Sequence, residues 1–144
     1  MIQLKRLHED AVLPSRGSLL ATGYDLHSVE EVVIPVGDTV LVPTGLALMH
    51  PPGHPGLDIQ IRSRSGLAVK HQISVPNAPG TIDLDYQGEI KVALINLGVT
   101  DYVVRKGDRV AQMVFGLVTY LPMTLSDLPF PDIYTERGDG GFGS

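Results

Sequence analysis

The sequence predicts an all-β fold, a distorted jelly roll or β-barrel with one short helix. Three observations point there. Sixteen Gly and eleven Pro are scattered from Pro14 to Gly143, so turns recur throughout the 144 residues. Several short segments alternate apolar and polar residues, the period of a half-buried strand. No dozen residues carry helical periodicity, and no segment repeats. The length suits one domain with a working core, and 43% hydrophobic against 19% charged residues is a globular balance.

Strands are expected at 2–7, 32–34, 39–49, 57–61, 73–75, 81–84, 90–94, 101–104 and 111–117. Leu57-Asp58-Ile59-Gln60-Ile61 and Ile90-Lys91-Val92-Ala93-Leu94 read in/out/in/out/in, and Ala111, Met113, Phe115 and Leu117 line one side of a further run. Ala21 to Ser28 reads as a turn entering a strand, with Asp25 as a turn or cap residue. The helix is expected from Arg64 to His71, with Ser65 able to cap it. Asn77 to Lys91 reads as a hairpin. Asp85 to Gly88 has the Asp-x-x-Gly of a type I turn, and Asp83 lies on the strand, sharing a side with Thr81 and Asp85. Lys106-Gly107-Asp108 reads as a second hairpin turn. His50 and His54 stand four apart, but Pro51-Pro52-Gly53 forbids the helix a metal pair would need. Leu121 to Tyr134 reads as an extended strap. Residues 136–144 are too glycine-rich to fold alone, so the chain divides into a domain at 1–135 and a flexible arm at 136–144.

Composition excludes several chemistries. With no Cys there is no disulfide framework, thiolate nucleophile or Cys-ligated metal site. No stretch approaches the ~18 apolar residues of a membrane span, and MIQLKRLHED is not expected to be a signal peptide. A net charge of −5 argues against a nucleic-acid binder. A polyanionic ligand would need a local basic cluster, a metal ion, or both.

Taken singly, the chemically suggestive segments also have plain structural readings. In Ser63-Arg64-Ser65-Gly66-Leu67-Ala68, an Arg, a hydroxyl and a bare Gly precede a helix, whose first N–H groups favour anions; the plain reading is a cap beside a solvent-exposed Arg. Asp83 could be a general base for water or a surface Asp. Asn77 offers a donor and acceptor pair, and Gln112 otherwise faces outward. The tail matches G-x-G-x-x-G at 138–143, but no helix follows to receive a pyrophosphate. Its glycine amides could cradle phosphate and Phe142 could stack on a base; otherwise it is a frayed terminus.

In order and spacing the segments are more specific. ATGYDLHS (21–28), SRSGLA (63–68), NAPGTIDLDYQGEI (77–90), KGDRVAQMVF (106–115) and ERGDGGFGS (136–144) resemble the five ordered motifs of the homotrimeric dUTP diphosphatases, or dUTPases, and span nearly the whole chain. The resemblance implies a jelly-roll trimer with active sites at subunit interfaces and the C-terminal arm exchanged between subunits. One subunit would supply the third motif, a second the second and fourth, and the tail of a third would close the site. It implies Mg²⁺ and conversion of dUTP and water to dUMP and diphosphate, keeping uracil out of DNA and supplying dUMP for dTMP synthesis. It implies a cytoplasmic location, or the inside of a host cell for a viral source.

By position, the resemblance implies that Asp83 activates the attacking water and that Tyr86 lies under the deoxyribose. Asn77, Gly80, Thr81, Ile82, the backbone of Asp83, and Lys91 would form the uracil site. Arg64, Ser65, Gly66 and Gln112 would contact phosphates. Arg137, Gly140 and Gly141 would clamp the γ-phosphate, with Phe142 over the uracil. Asp25 would stand near the metal through water. Two departures from the family pattern are present: Ser63 stands where Pro is usual, which implies a less rigid approach to the loop, and the tail stops at Ser144, short of a frequent Thr-Gly. The alternatives are a dCTP deaminase of the same fold, which would use a different base and second motif, and a non-catalytic regulatory relative.

Overall fold

In the computed structural model, which describes residues 2–49, 56–129, 137, 138 and 140, the alternating segments become ten short strands. In chain order they are β1 (Gln3–Arg6), β2 (Tyr24–His27), β3 (Val32–Ile34), β4 (Thr39–Met49), β5 (Leu57–Arg62), β6 (Ile73–Ser74), β7 (Gly80–Ile82), β8 (Glu89–Asn96), β9 (Tyr102–Val104) and β10 (Arg109–Leu117). A single helix, α1 (Ser65–His71), follows β5. All pairings are antiparallel: β1-β4-β8-β6 form one sheet, β2-β10-β5-β7 a second, and β3-β9 a two-stranded third. The expected all-β jelly roll with one short helix is what forms.

The inward residues of both larger sheets meet in one core. Val42, Ile90, Val92 and Leu94 come from the first sheet, Leu26, Ile59, Ala111 and Met113 from the second, Ile34 and Val104 from the third. Fully burying such a side chain contributes about 1.5–3 kcal/mol. Leu117, expected on the apolar side of β10, is 89% exposed instead, at the end where the chain leaves the sheet. The chain beyond it, through Pro129, has no regular structure and keeps Tyr120, Met123, Leu125 and Leu128 in solvent.

Helix α1 is too short to be stable alone. It is held by burial of Leu67 and ends at Gln72 in the left-handed conformation, with Lys70 and His71 in the last turn complementing the helix dipole. Ser65 is not the cap: Arg64 occupies the N-cap position, with no side-chain cap bond.

Both expected hairpins are corrected. β7 pairs with β5 while β8 pairs with β4 and β6, so residues 83–88 cross between sheets. The turn lies two residues earlier than expected, where the Tyr86 N–H donates to the Asp83 carbonyl at 3.0 Å. Asp83 therefore follows β7 and opens the turn rather than lying on a strand. Lys106-Gly107-Asp108 does form a tight turn: the Asp108 N–H donates to the Arg105 carbonyl, and Gly107 takes φ +85°. Yet β9 joins β3 and β10 joins β2 and β5, so this turn is also a crossover. Residues 50–55, with His50 and His54, lie outside the described residues. Among the described residues no helix is long and apolar enough to cross a membrane.

Candidate active site

The functional candidates gather in two places. The first is the face where β10 runs between β2 and β5. Asp25 pairs with Gln112, and His27 pairs with Arg109. Asp25 and His27, two apart on β2, share a face. Arg109 and Gln112, three apart, would oppose each other on a regular strand. A bulge between Arg109 and Ala111 turns both toward Asp25. The Arg64 Nε donates to Asp25 Oδ1 at 3.1 Å, its Nη1 to the Arg109 carbonyl at 3.2 Å, and the Arg109 Nη1 to Asp25 Oδ2 at 3.2 Å.

Arg64 is thus anchored, not merely solvent-exposed, and Asp25 is a strand residue bridging two guanidiniums, not a turn or cap. Gln112 faces away from the core as expected, but it is engaged there: its Nε2 donates to the Ser63 carbonyl at 2.9 Å. A Cβ on Gly23 would collide with the Gln112 side chain, so the glycine makes room for it. Ser63 is also fastened on its own side chain, whose hydroxyl accepts the Val75 N–H at 2.8 Å.

Ser65 and Gly66 are exposed beside this cluster. Ala68 is the first residue of α1 whose N–H bonds back, to the Arg64 carbonyl, so the N–H groups before it lack helical partners. A Cβ on Gly66 would meet nothing within 4 Å, so the chain's own packing does not require a glycine there. His27 lies on the same face with a buried Nδ1 that has no hydrogen-bond partner. Burial lowers its pKa, Asp25 opposes that, and Arg109 and Arg64 add to it.

The second place is a cavity of about 320 Å³ lined by Asn77, Gly80, Thr81, Ile82, Asp83, Tyr86, Glu89 and Lys91, with an apolar floor that includes Ile61 and Val75. Gly80 is buried against Ile61 and Asn77, 3.4 Å from each for an added Cβ. Asp83 is exposed and also lines a neighbouring cavity of about 460 Å³ on the other side of its turn. The Tyr86 hydroxyl donates to the Glu89 carbonyl at 3.0 Å, folding the ring back over Gly88. A further cavity, about 490 Å³ between Ile2, Leu13, Tyr24 and Phe115, is apolar and holds none of the candidate site residues.

The lining of the 320 Å³ cavity does not include Arg64, Ser65, Gly66 or Gln112. One chain therefore presents two separate constellations, a charged cluster around Asp25 and a cavity with polar and apolar lining. In the tail, the Arg137 Nε donates to the Gly140 carbonyl at 2.9 Å, and the Gly140 N–H returns to the Arg137 carbonyl at 3.0 Å, a turn closed on itself. Gly141 and Phe142 lie outside the described residues. Sequence reasoning missed Arg109 and Glu89. Charge alone could have flagged Arg109, three residues before Gln112, but the bulge that brings them together has no sequence signature.

A profile of the dUTPase family matches residues 9–144. The chain belongs to the dUTPase family. Its curated relatives include the deoxyuridine 5'-triphosphate nucleotidohydrolase of Solibacter usitatus, 46% identical over 99% of this chain and 94% of the relative. That of Wolinella succinogenes is 49% identical over 99% and 92%. Among solved structures, a dUTPase mutant of Staphylococcus bacteriophage 80alpha, solved with dUpNHpp, superposes with a TM-score of 0.85. It is 24% identical and the match covers 99% of this chain and 96% of that one. A mutant dUTPase from phage phi11 of S. aureus, solved for the coordination of a structural Mg(II) ion, has a TM-score of 0.79 at 22% identity over 89% and 97%. The two constellations of this dUTPase-family chain hold residues from the first four of the five motif segments.

Proposed function

We propose that this protein hydrolyses dUTP to dUMP and diphosphate with Mg²⁺, in sites completed between copies of the chain in a homotrimer in the cytoplasm. The observation that carries this reading is the cavity at Asn77–Lys91, open and polar-rimmed, in a chain of the dUTPase family. Relatives are named for the same hydrolysis.

In this reading the uracil lies against Asn77, Gly80, the backbone of Thr81 to Asp83, and Lys91. Fixed backbone donors and acceptors distinguish uracil from cytosine, whose polarity at position 4 is opposite, because a mismatch buries unpaired polar groups. The ring of Tyr86 underlies the deoxyribose and leaves no room for a 2′-hydroxyl. A second copy brings Arg64, Ser65, Gly66 and Gln112 to the phosphates. The open space over Gly66 and the outward N–H groups at the start of α1 suit a close phosphate oxygen. The arm of a third copy, through Arg137, Gly140, Gly141 and Phe142, covers the γ-phosphate and the base.

Asp83 accepts a proton from water as the water oxygen bonds to the α-phosphorus. The bond from that phosphorus to the bridging oxygen breaks, and diphosphate leaves. Positioning and neutralisation of phosphate charge by the guanidiniums supply most of the remaining acceleration. No group of three or more His, Asp or Glu among the described residues is arranged to hold a metal, and both Asp25 oxygens already accept guanidinium N–H groups. The residues present would fit a Mg²⁺ brought in on the substrate phosphates, which Asp25 would help to hold through water. When bound, that ion neutralises phosphate charge.

Diphosphate release from dUTP with Mg²⁺ tests the reading. Asp83→Asn is expected to lose turnover by about 10²-fold or more, the usual contribution of a general base, with dUTP affinity within a few-fold. Near-normal turnover would refute the base assignment, and ammonia released from dCTP would point to the deaminase chemistry instead.

A further inference from the structure

Strand β8 begins at Glu89, where its ladder with β4 is broken. Pro43 pairs with Lys91 and Ala47 with Glu89, so four steps on β4 oppose two on β8. The extra residues bulge at Thr44–Leu46, with Gly45 at φ +66°. A Cβ on Gly45 would come within 2.7 Å of the His8 Cβ, so the bulge is packed tightly from behind. A bulge leaves N–H groups outside the ladder. Here the Gly45 N–H donates to Glu89 Oε1 at 2.8 Å, and the Thr44 hydroxyl donates to the Ile90 carbonyl at 2.6 Å.

The other Glu89 oxygen faces Lys91, with Oε2 3.6 Å from Nζ. The Glu89 carbonyl accepts the Tyr86 hydroxyl. A Cβ on Gly88 would run into the Tyr86 ring, so the ring rests on this short stretch of backbone and nothing bulky intervenes. Glu89 therefore replaces the missing ladder by a side chain, and the residue so fastened carries the seat of Tyr86.

We propose that Glu89 is a positioning residue for nucleoside selection: its carboxylate, tied to the Gly45 bulge, sets the place of the carbonyl on which Tyr86 rests, and so the distance the Tyr86 ring keeps from the 2′ position of the sugar. This rests on the reading above that Tyr86 underlies the sugar. Glu89 acts through Tyr86 and Lys91, and it need not touch the reacting atoms.

The test uses the full chain with dUTP and UTP, and calorimetry with dUMP and UMP to read binding without chemistry. E89A leaves the Gly45 N–H without its acceptor. E89D keeps the charge but is one methylene too short to reach it, and it guards against a folding failure of E89A. Both are expected to raise KM for dUTP about 10-fold with kcat within about 3-fold, the size of one lost part-buried hydrogen bond to a charged group. Both should lower the preference for dUTP over UTP, and for dUMP over UMP in calorimetry, by about the same factor. E89Q, whose amide oxygen still accepts from Gly45, is expected to return KM and the preference to within about 3-fold of the parent protein. E89A combined with Y86F should be no worse than the poorer single variant. An unchanged deoxyribose preference in E89D, or losses in E89Q equal to those in E89A, would overturn the proposal. A parent protein that does not hydrolyse dUTP would instead refute the functional reading, an outcome visible before any variant is made.

Discussion

Asp25 does at the residue scale what no local pattern announces. One carboxylate holds two guanidiniums from distant parts of the chain, Arg64 through Oδ1 and Arg109 through Oδ2. The same crowding governs His27. Its imidazole is kept neutral chiefly by burial, so its pKa lies below the ordinary 6.5. The unfolded chain takes up a proton as pH falls through about 6.5, while the folded chain resists, so the stabilisation is complete above that pH and is lost as pH falls toward the lowered folded value. Urea unfolding between pH 7.5 and 5 should show a stability that declines with acid, and a shallower decline in His27→Gln. Equal slopes in the two proteins would show that His27 does not titrate differently on folding. Motif spacing made some positions legible: Asn77, Asp83 and Tyr86 line one cavity, and Gln112 joins the Asp25 cluster. Their partners were not, because the bulge in β10 that gathers Arg109, Gln112 and Asp25 arises from three-strand packing.

At the scale of elements, nearly every expected strand forms, three of them marked by alternation, and β3 and β4 match the expected bounds residue for residue. Pairing was less legible. Lys106-Gly107-Asp108 has the chemistry of a tight turn and makes one, but local turn chemistry does not say which sheet the next strand joins. The pins between elements were also silent in the sequence. Asn96, fully buried at the end of β8, donates from Nδ2 to the carbonyls of Ile34 at 2.9 Å and Thr100 at 2.8 Å, while its Oδ1 accepts the Gly98 N–H at 2.9 Å. It joins the end of β3 to the loop before β9. Asn96→Ala would strand three backbone groups, and the expected cost is about 2–4 kcal/mol of unfolding free energy. A lower urea midpoint at unchanged m-value would report it; a midpoint within error of the parent would show that water replaces the amide at no cost.

For the whole molecule, the candidate residues of one chain stand in two separate places. The cationic cluster and the 320 Å³ cavity are both formed, yet the cavity lining excludes the cluster. Beyond β10 the chain carries Tyr120, Leu121, Met123, Leu125 and Leu128 exposed, a surface of the kind subunits cover. Composition marked this stretch as an extended strap, since prolines and the lack of period exclude a helix or an alternating strand. Its exposed apolar side chains have no local pattern that would name what covers them.

The proposed division of labour between copies has a genetic consequence. Asp83→Asn and Arg64→Ala break different constellations, so each should lose most turnover alone. If each working centre draws the two residues from different copies, unfolding and co-refolding the two inactive proteins in equal amounts would rebuild wholly intact centres in about a quarter of positions, as random assortment in a closed ring requires. Rescue near that fraction would mean the two lesions complement one another in trans, whereas a mixture as inert as its parents would place both residues in the service of the same copy.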